Sequence, residues 1–121
     1  MTDVHDIILH LALPDDWAAA FEVGSYTMST RGRTLTDEGF IHCSRPHQVE
    51  GVANRFYAEV DQLVVLTIDG DLVGAPILDE PPVPGDAELF PHLYGPLPLV
   101  AVVDATLWSR TSTGWSLASL T

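Results

Sequence analysis

Three histidines, His10, His42 and His92, stand among apolar neighbours. Two of them fall inside strand-like runs, where an imidazole is uncommon. Any one of them alone reads first as a core or half-buried residue hydrogen-bonded to backbone. Three together read as polar groups set on the apolar walls of a cleft, the usual construction of a small-molecule site. No two have the close helical spacing of a metal motif such as HxxxH, so no metal site is expected. The stretch Asp37-Glu38-Gly39-Phe40-Ile41-His42-Cys43-Ser44 is the most informative. A strand, a serine able to cap, then a proline in a first helical turn would leave N–H groups at Ser44 to His47 for an anion, aided by Arg45. An ordinary helix cap has the same sequence. Cys43 adjoins His42, but neighbours in a strand point to opposite faces, so Cys43 is expected to pack rather than to act as a nucleophile. Glu88 directly precedes an aromatic segment, where it could accept a hydroxyl hydrogen bond, stabilise a cation or simply be a surface charge. Phe90 and Tyr94 could stack on a ring. Arg31 and Arg33 could meet an anion or be solvated, and Arg55 could pair with Glu59 one helical turn on.

The elements that must position these groups follow from pattern. Ile7–Ala12 reads as a buried strand. Pro14, Asp15 and Asp16 suit a first helical turn, Trp17, Ala20 and Phe21 share one face, and Gly24 suits the stop. Residues 25–38 read as a long polar loop with a short strand at 26–28, and a loop of that length invites the role of a lid. Residues 40–43 read as a second strand, and Val49, Val52, Ala53, Phe56 and Tyr57 predict a helix over 46–58. Gln62–Asp69 is the clearest strand, apolar enough to be covered on both faces. The proline-rich stretch 80–86 must be a loop. Residues 89–96, fenced by prolines, read as an edge strand or extended loop, and 106–117 as a final hairpin turning at 112–114. The fold class is α+β: a mostly antiparallel β core with two helices in the N-terminal half.

Composition bounds the function. The 121 residues fit a single domain over 1–121. The formal net charge is -12, and all five basic residues are arginines. Such a chain is a poor ligand for long nucleic acid or an anionic membrane. A short nucleotide held by a few local arginines is compatible with it. One cysteine excludes an intramolecular disulfide and suits the reducing cytoplasm. The N-terminus lacks a secretion signal, and no apolar run reaches the length of a membrane span. The oligomeric state is not set by any of these features.

Ile8-Leu9-His10, Glu38-Gly39-Phe40-Ile41-His42-Cys43-Ser44, Gly51-Val52-Ala53-Asn54-Arg55-Phe56 and Glu88-Leu89-Phe90-Pro91-His92-Leu93-Tyr94-Gly95-Pro96-Leu97 together resemble the uncharacterised bacterial family numbered 952 among the domains of unknown function. The resemblance covers about residues 7 to 108. The family is similar to the ADP-ribosyltransferase-like group, which includes RNA 2'-phosphotransferases. That similarity implies a split, curved β core with a cleft for NAD or ADP-ribose. Ile8-Leu9-His10-Leu11-Ala12 corresponds to that group's first-strand histidine pattern, with Leu11 and Ala12 in place of glycine and threonine. Phe40-Ile41-His42-Cys43-Ser44 resembles the phosphotransferases' second histidine strand. Arg31 and Arg55 are the counterparts offered for their arginines, and Glu88 for the glutamate of toxin-type transferases.

Three functions are compatible with this reading. The first is an enzyme acting on NAD, ADP-ribose or a phosphorylated nucleotide, with His10, His42, Glu88 and His92 catalytic and Arg31, Ser44, Arg45, Arg55, Phe90 and Tyr94 binding the ligand. The second is a binding module using the same cleft as a sensor. The third is an interaction protein presenting the Phe90 to Tyr94 strand to a partner.

Overall fold

The computed structural model describes residues 6–120. Strand β1 (Ile7–Ala12) leads into helix α1 (Pro14–Val23). Pro14 sits in the first turn, where its missing N–H is no loss, and Asp15 and Asp16 face the helix's positive end. Gly24 closes α1 at φ 95°, its N–H bonded to Ala20 O, in a conformation glycine adopts without strain.

The stretch read as a loop over 25–38 is instead built of short elements. These are β2 (Ser25–Tyr26), β3 (Met28–Thr30), β4 (Arg33–Thr34) and the one-turn helix α2 (Leu35–Glu38). The physical reason is local capping. The Thr34 hydroxyl accepts from Asp37 N–H at 3.1 Å, and the Asp37 carboxylate accepts from Thr34 N–H at 2.9 Å.

Strand β5 (Ile41–His42) follows. Ser44 then departs from its expected role as a cap. Its N–H donates to Leu9 O at 2.7 Å and its O accepts from Leu9 N–H at 2.8 Å, a bridge to β1. Residues 46–48 form a 3₁₀ turn, and helix α3 runs Val49–Phe56 rather than over 46–58. The chain continues through β6 (Gln62–Asp69), β7 (Ile77–Glu80), β8 (Phe90–Leu93), β9 (Leu97–Pro98) and β10 (Val102–Ser109).

Two three-stranded antiparallel sheets carry the fold, ordered β1-β6-β10 and β5-β8-β7, and β2-β9 and β3-β4 are minor pairs. Strand β6 is central and buried on both faces. Val64, Leu66 and Ile68 join one core with Ile8, Ile41 and Leu93, while Leu63 and Val65 join another with Val49, Tyr57, Trp108 and Trp115. The architecture is α+β, with its two longer helices in the N-terminal half.

Two further expectations are corrected. Strand β8 is not an edge strand but the middle of its sheet, between β5 and β7. Proline lacks a donor, not an acceptor, and Pro91 O accepts from Cys43 N–H at 3.0 Å. The final hairpin is only a turn, closed by Thr111 and Gly114. The residues beyond it leave the sheet because Trp115 drops into the second core, its indole N–H donating to Tyr57 O at 2.8 Å. Among the described residues, no helix is long and apolar enough to cross a membrane.

Candidate functional site

A cavity of about 490 Å³ opens where the two sheets meet α3 and the segment leading into β8. That volume is in the range of small-molecule sites. Strand β1 contributes His10 and Leu11, and β5 with its extension contributes His42, Cys43 and Ser44. Helix α3 contributes Val52, Arg55 and Phe56, the β7–β8 connection contributes Val83 and Glu88, and the first residue of β8 contributes Phe90.

His10 is locked by the protein. Its Nδ1 lies 2.6 Å from His42 O and its Nε2 lies 2.8 Å from the Tyr26 hydroxyl. A carbonyl only accepts, so Nδ1 carries the hydrogen and Nε2 accepts from Tyr26. Burial pushes the imidazole pKa down to about 4, outweighing the bond to His42 O, so the ring is neutral at pH 7. Burial likewise raises the Tyr26 phenol well above its ordinary value. His10, expected to be a catalytic residue, thus has both ring nitrogens occupied by the protein.

His42 is half-buried on the cavity wall. Its Nε2 faces Glu38 Oε1 at 3.5 Å, the long end of hydrogen-bond distance. Burial lowers its pKa most, Glu38 opposes that, and His92 adds to the lowering. His92 does not line the cavity. It lies behind His42, their ring centroids 5.2 Å apart, with Nδ1 2.9 Å from Glu80 Oε1. Tyr94 also stands off the cavity, its hydroxyl donating to the same Glu80 oxygen at 2.5 Å.

The arginines divide clearly. Arg31 is 2.7 Å from Glu59, Arg33 is 2.9 Å from Glu38, and Arg110 is 2.6 Å from Asp61. Arg45 is gripped by Asp6 at 2.5 Å and Asp79 at 3.0 Å. Among the described residues Arg55 has no carboxylate partner. It lies over the Phe56 ring at 5.0 Å and lines the cavity. Arg31 and Arg45, expected as ligand contacts, are thus held by carboxylates away from it. Of the amides expected to form an anion pocket at Ser44 to His47, Ser44 N–H is used by Leu9 O and Arg45 N–H by Gln48 Oε1 at 2.8 Å, and Pro46 has none.

Gln48 is a residue the sequence reading missed. It is buried and donates to Glu88 Oε2 at 3.0 Å and to Leu89 O at 2.8 Å, fixing the carboxylate at the cavity. Tyr26, Glu38, Glu80 and His47 were missed too. His47 lines the cavity; Tyr26 and Glu80 hold His10 and His92 from 16 and 12 residues away, where no local motif announces them, while Glu38 stands only four residues before His42. Cys43 is buried, and burial pushes its thiol pKa up to about 12. Among the described residues, no group of three or more His, Cys, Asp or Glu side chains is placed to hold a metal ion.

A sequence model of a family described as protein of unknown function (DUF952) matches residues 11–105. The chain is similar to the crystal structure of protein CC0527 from Caulobacter crescentus, at 25% identity and TM-score 0.78, covering 93% of this chain and 95% of that one. It is also similar to the solution structure of CC0527, at 26% identity and TM-score 0.72, covering 90% of each chain. No curated protein matches the chain.

Proposed function

We propose, from the premise that the chain belongs to the DUF952 family, that the cavity binds a small sugar-phosphate of the NAD, ADP-ribose or phosphorylated-nucleotide class and acts on it. One observation carries this reading. In a chain whose other arginines are all paired with carboxylates, Arg55 alone among the described residues is left for an outside anion, and it lines the cavity. A guanidinium matches phosphate through paired N–H donors. Phe56 from α3 and Phe90 from β8 line the same cavity, and Ser44 gives a hydroxyl. His42 is the general acid or base, and Glu88, held by Gln48, takes a sugar hydroxyl or faces a developing cation. His10 is a positioning residue that anchors the His42 backbone. The two sheets joined through the Leu9–Ser44 bridge support reading the core as ADP-ribosyltransferase-like and split.

A second reading, a non-catalytic sensor, is favoured by one fact: the two nitrogens of His10 and the Cys43 thiol are out of play. The interaction reading has less behind it. Strand β8 has neighbours on both sides, and Pro91, His92 and Leu93 are buried.

Thermal shift against NAD, ADP-ribose and a nucleoside 2'-phosphate tests the proposal, since a ligand of the native state raises its stability. Stabilisation by one of these, lost in Arg55→Ala and kept in Arg110→Ala, is expected. Product detected by mass spectrometry separates the enzyme from the sensor. No stabilisation by any of them, or equal stabilisation of Arg55→Ala, overturns the reading.

A further inference from the structure

Helix α3 divides its residues between three neighbours. Val49 and Ala53 are buried in the second core. Glu50 and Asn54, one turn apart, are spent on the C-terminal segment. The Glu50 carboxylate accepts from Leu117 N–H at 2.8 Å, and the Asn54 side chain accepts from Trp115 N–H at 2.9 Å. Gly51 and Arg55, also one turn apart, border the cavity. His47, four residues before Gly51 in the 3₁₀ turn, borders it too.

None of these three is explained by the fold. Gly51 stands inside a helix, where only proline is a weaker former. Its φ is not positive, so no turn calls for glycine. Packing does not call for it either, because a Cβ there would meet no protein atom within 4 Å. What the missing side chain leaves is bare backbone on the cavity wall, where another molecule can approach the helix closely. His47 is exposed and, among the described residues, has no hydrogen bond or ion pair. The other described histidines each meet a carbonyl, a hydroxyl or a carboxylate. Arg55 likewise lacks a carboxylate. Two uncommitted donor side chains thus flank one bare stretch of helix. The only carboxylate of α3, Glu50, is occupied elsewhere.

We propose that Gly51 is the seat of a diphosphate, with Arg55 taking one phosphate and His47 the other. The spacing selects two phosphates over one. The backbones of His47 and Arg55 are set roughly 10 Å apart along the axis, with Gly51 between them. A single phosphate serves one donor, whereas two linked phosphates laid over Gly51 reach both. The guanidinium offers paired N–H groups, and an imidazole keeps at least one N–H in either protonation state. The proposal rests on the cavity reading above and narrows it: NAD and ADP-ribose carry two linked phosphates, and a nucleoside 2'-phosphate carries one.

Titration calorimetry with ADP-ribose, and separately with adenosine 2'-phosphate, tests it beside thermal unfolding of the ligand-free protein. Gly51→Ala is expected to raise the melting temperature by about 2–5 °C, because alanine is the better helix former and its methyl meets no neighbour. The same variant is expected to bind ADP-ribose about tenfold more weakly, since the methyl takes up space that the ligand needs. His47→Ala is expected to weaken ADP-ribose about tenfold at an unchanged melting temperature, and to weaken adenosine 2'-phosphate less. A Gly51→Ala protein that keeps full affinity, or that is less stable than the wild type, overturns the proposal. So does a wild type that prefers adenosine 2'-phosphate. Each of these results leaves the cavity reading standing as long as Arg55→Ala still abolishes binding. A wild type that binds neither ligand overturns the cavity reading and this proposal with it.

Discussion

His10 is neutral, buried and bonded through both ring nitrogens, and this fixes the sign of its effect on stability. Its folded pKa lies near 4, below the ordinary 6.5. Above about pH 6.5 the ring is neutral in both the folded and unfolded chain, and its contribution is fully present. As pH falls toward 4 the unfolded chain takes up a proton that the folded chain refuses, and stability is lost, by ~3 kcal/mol once the shift is traversed. Urea unfolding at about pH 7 and about pH 4.5 checks this: His10→Gln is expected to flatten the loss, and an unchanged slope contradicts it. Cys43 gives a second expectation at this scale. With its thiol buried and its pKa raised, it reacts with a disulfide reagent only on unfolding, and rapid labelling of the native protein would contradict that. His10 and His42 were legible as cavity residues because an imidazole in an apolar strand is anomalous by itself. Their states were not legible. These depend on Tyr26 and Glu38, which the fold brings in from other elements.

Helix α3 carries Arg55, and a clamp at its far side fixes its place. The Asn54 side chain accepts from Trp115 N–H at 2.9 Å and donates to Trp115 O at 2.9 Å. Asn54→Ala leaves buried backbone groups unsatisfied and is expected to cost about 1–3 kcal/mol in denaturant unfolding. Gly114 adjoins the clamp at φ 119°, and a Cβ there would stand 2.9 Å from the Asn54 side-chain oxygen. Gly114→Ala is therefore expected to destabilise as well, by more than the ~1 kcal/mol that a compatible Gly→Ala change can gain. A neutral result for both variants would contradict the clamp. Long elements were legible here because they carry a period: β1, α1 and β6 lie where the apolar pattern put them. The pieces within 25–38 have too few residues to show one. β8 misled because prolines usually mark edges, whereas here a carbonyl, not an N–H, makes the inner bond.

The two cores share β6, whose alternate residues feed one core and then the other. We expect the chain to unfold in one transition for that reason. Trp17 reports on the first core, and Trp108 and Trp115 on the second. Single-tryptophan variants should then give coincident unfolding curves, and two separated midpoints would contradict the shared strand as the unit of stability. At this scale the charge of -12 gives the cavity its meaning. Cations are scarce, and among the described residues all but Arg55 are paired with carboxylates; under the proposed function that arginine is where an outside anion is received. Backbone NMR of the protein titrated with ADP-ribose, and separately with a nucleoside 2'-phosphate, tests this most directly. The account predicts saturable amide shifts centred on His42, Arg55, Phe56, Glu88 and Phe90 that vanish in Arg55→Ala; no saturable shift with either ligand, or shifts centred outside the cavity, would contradict it.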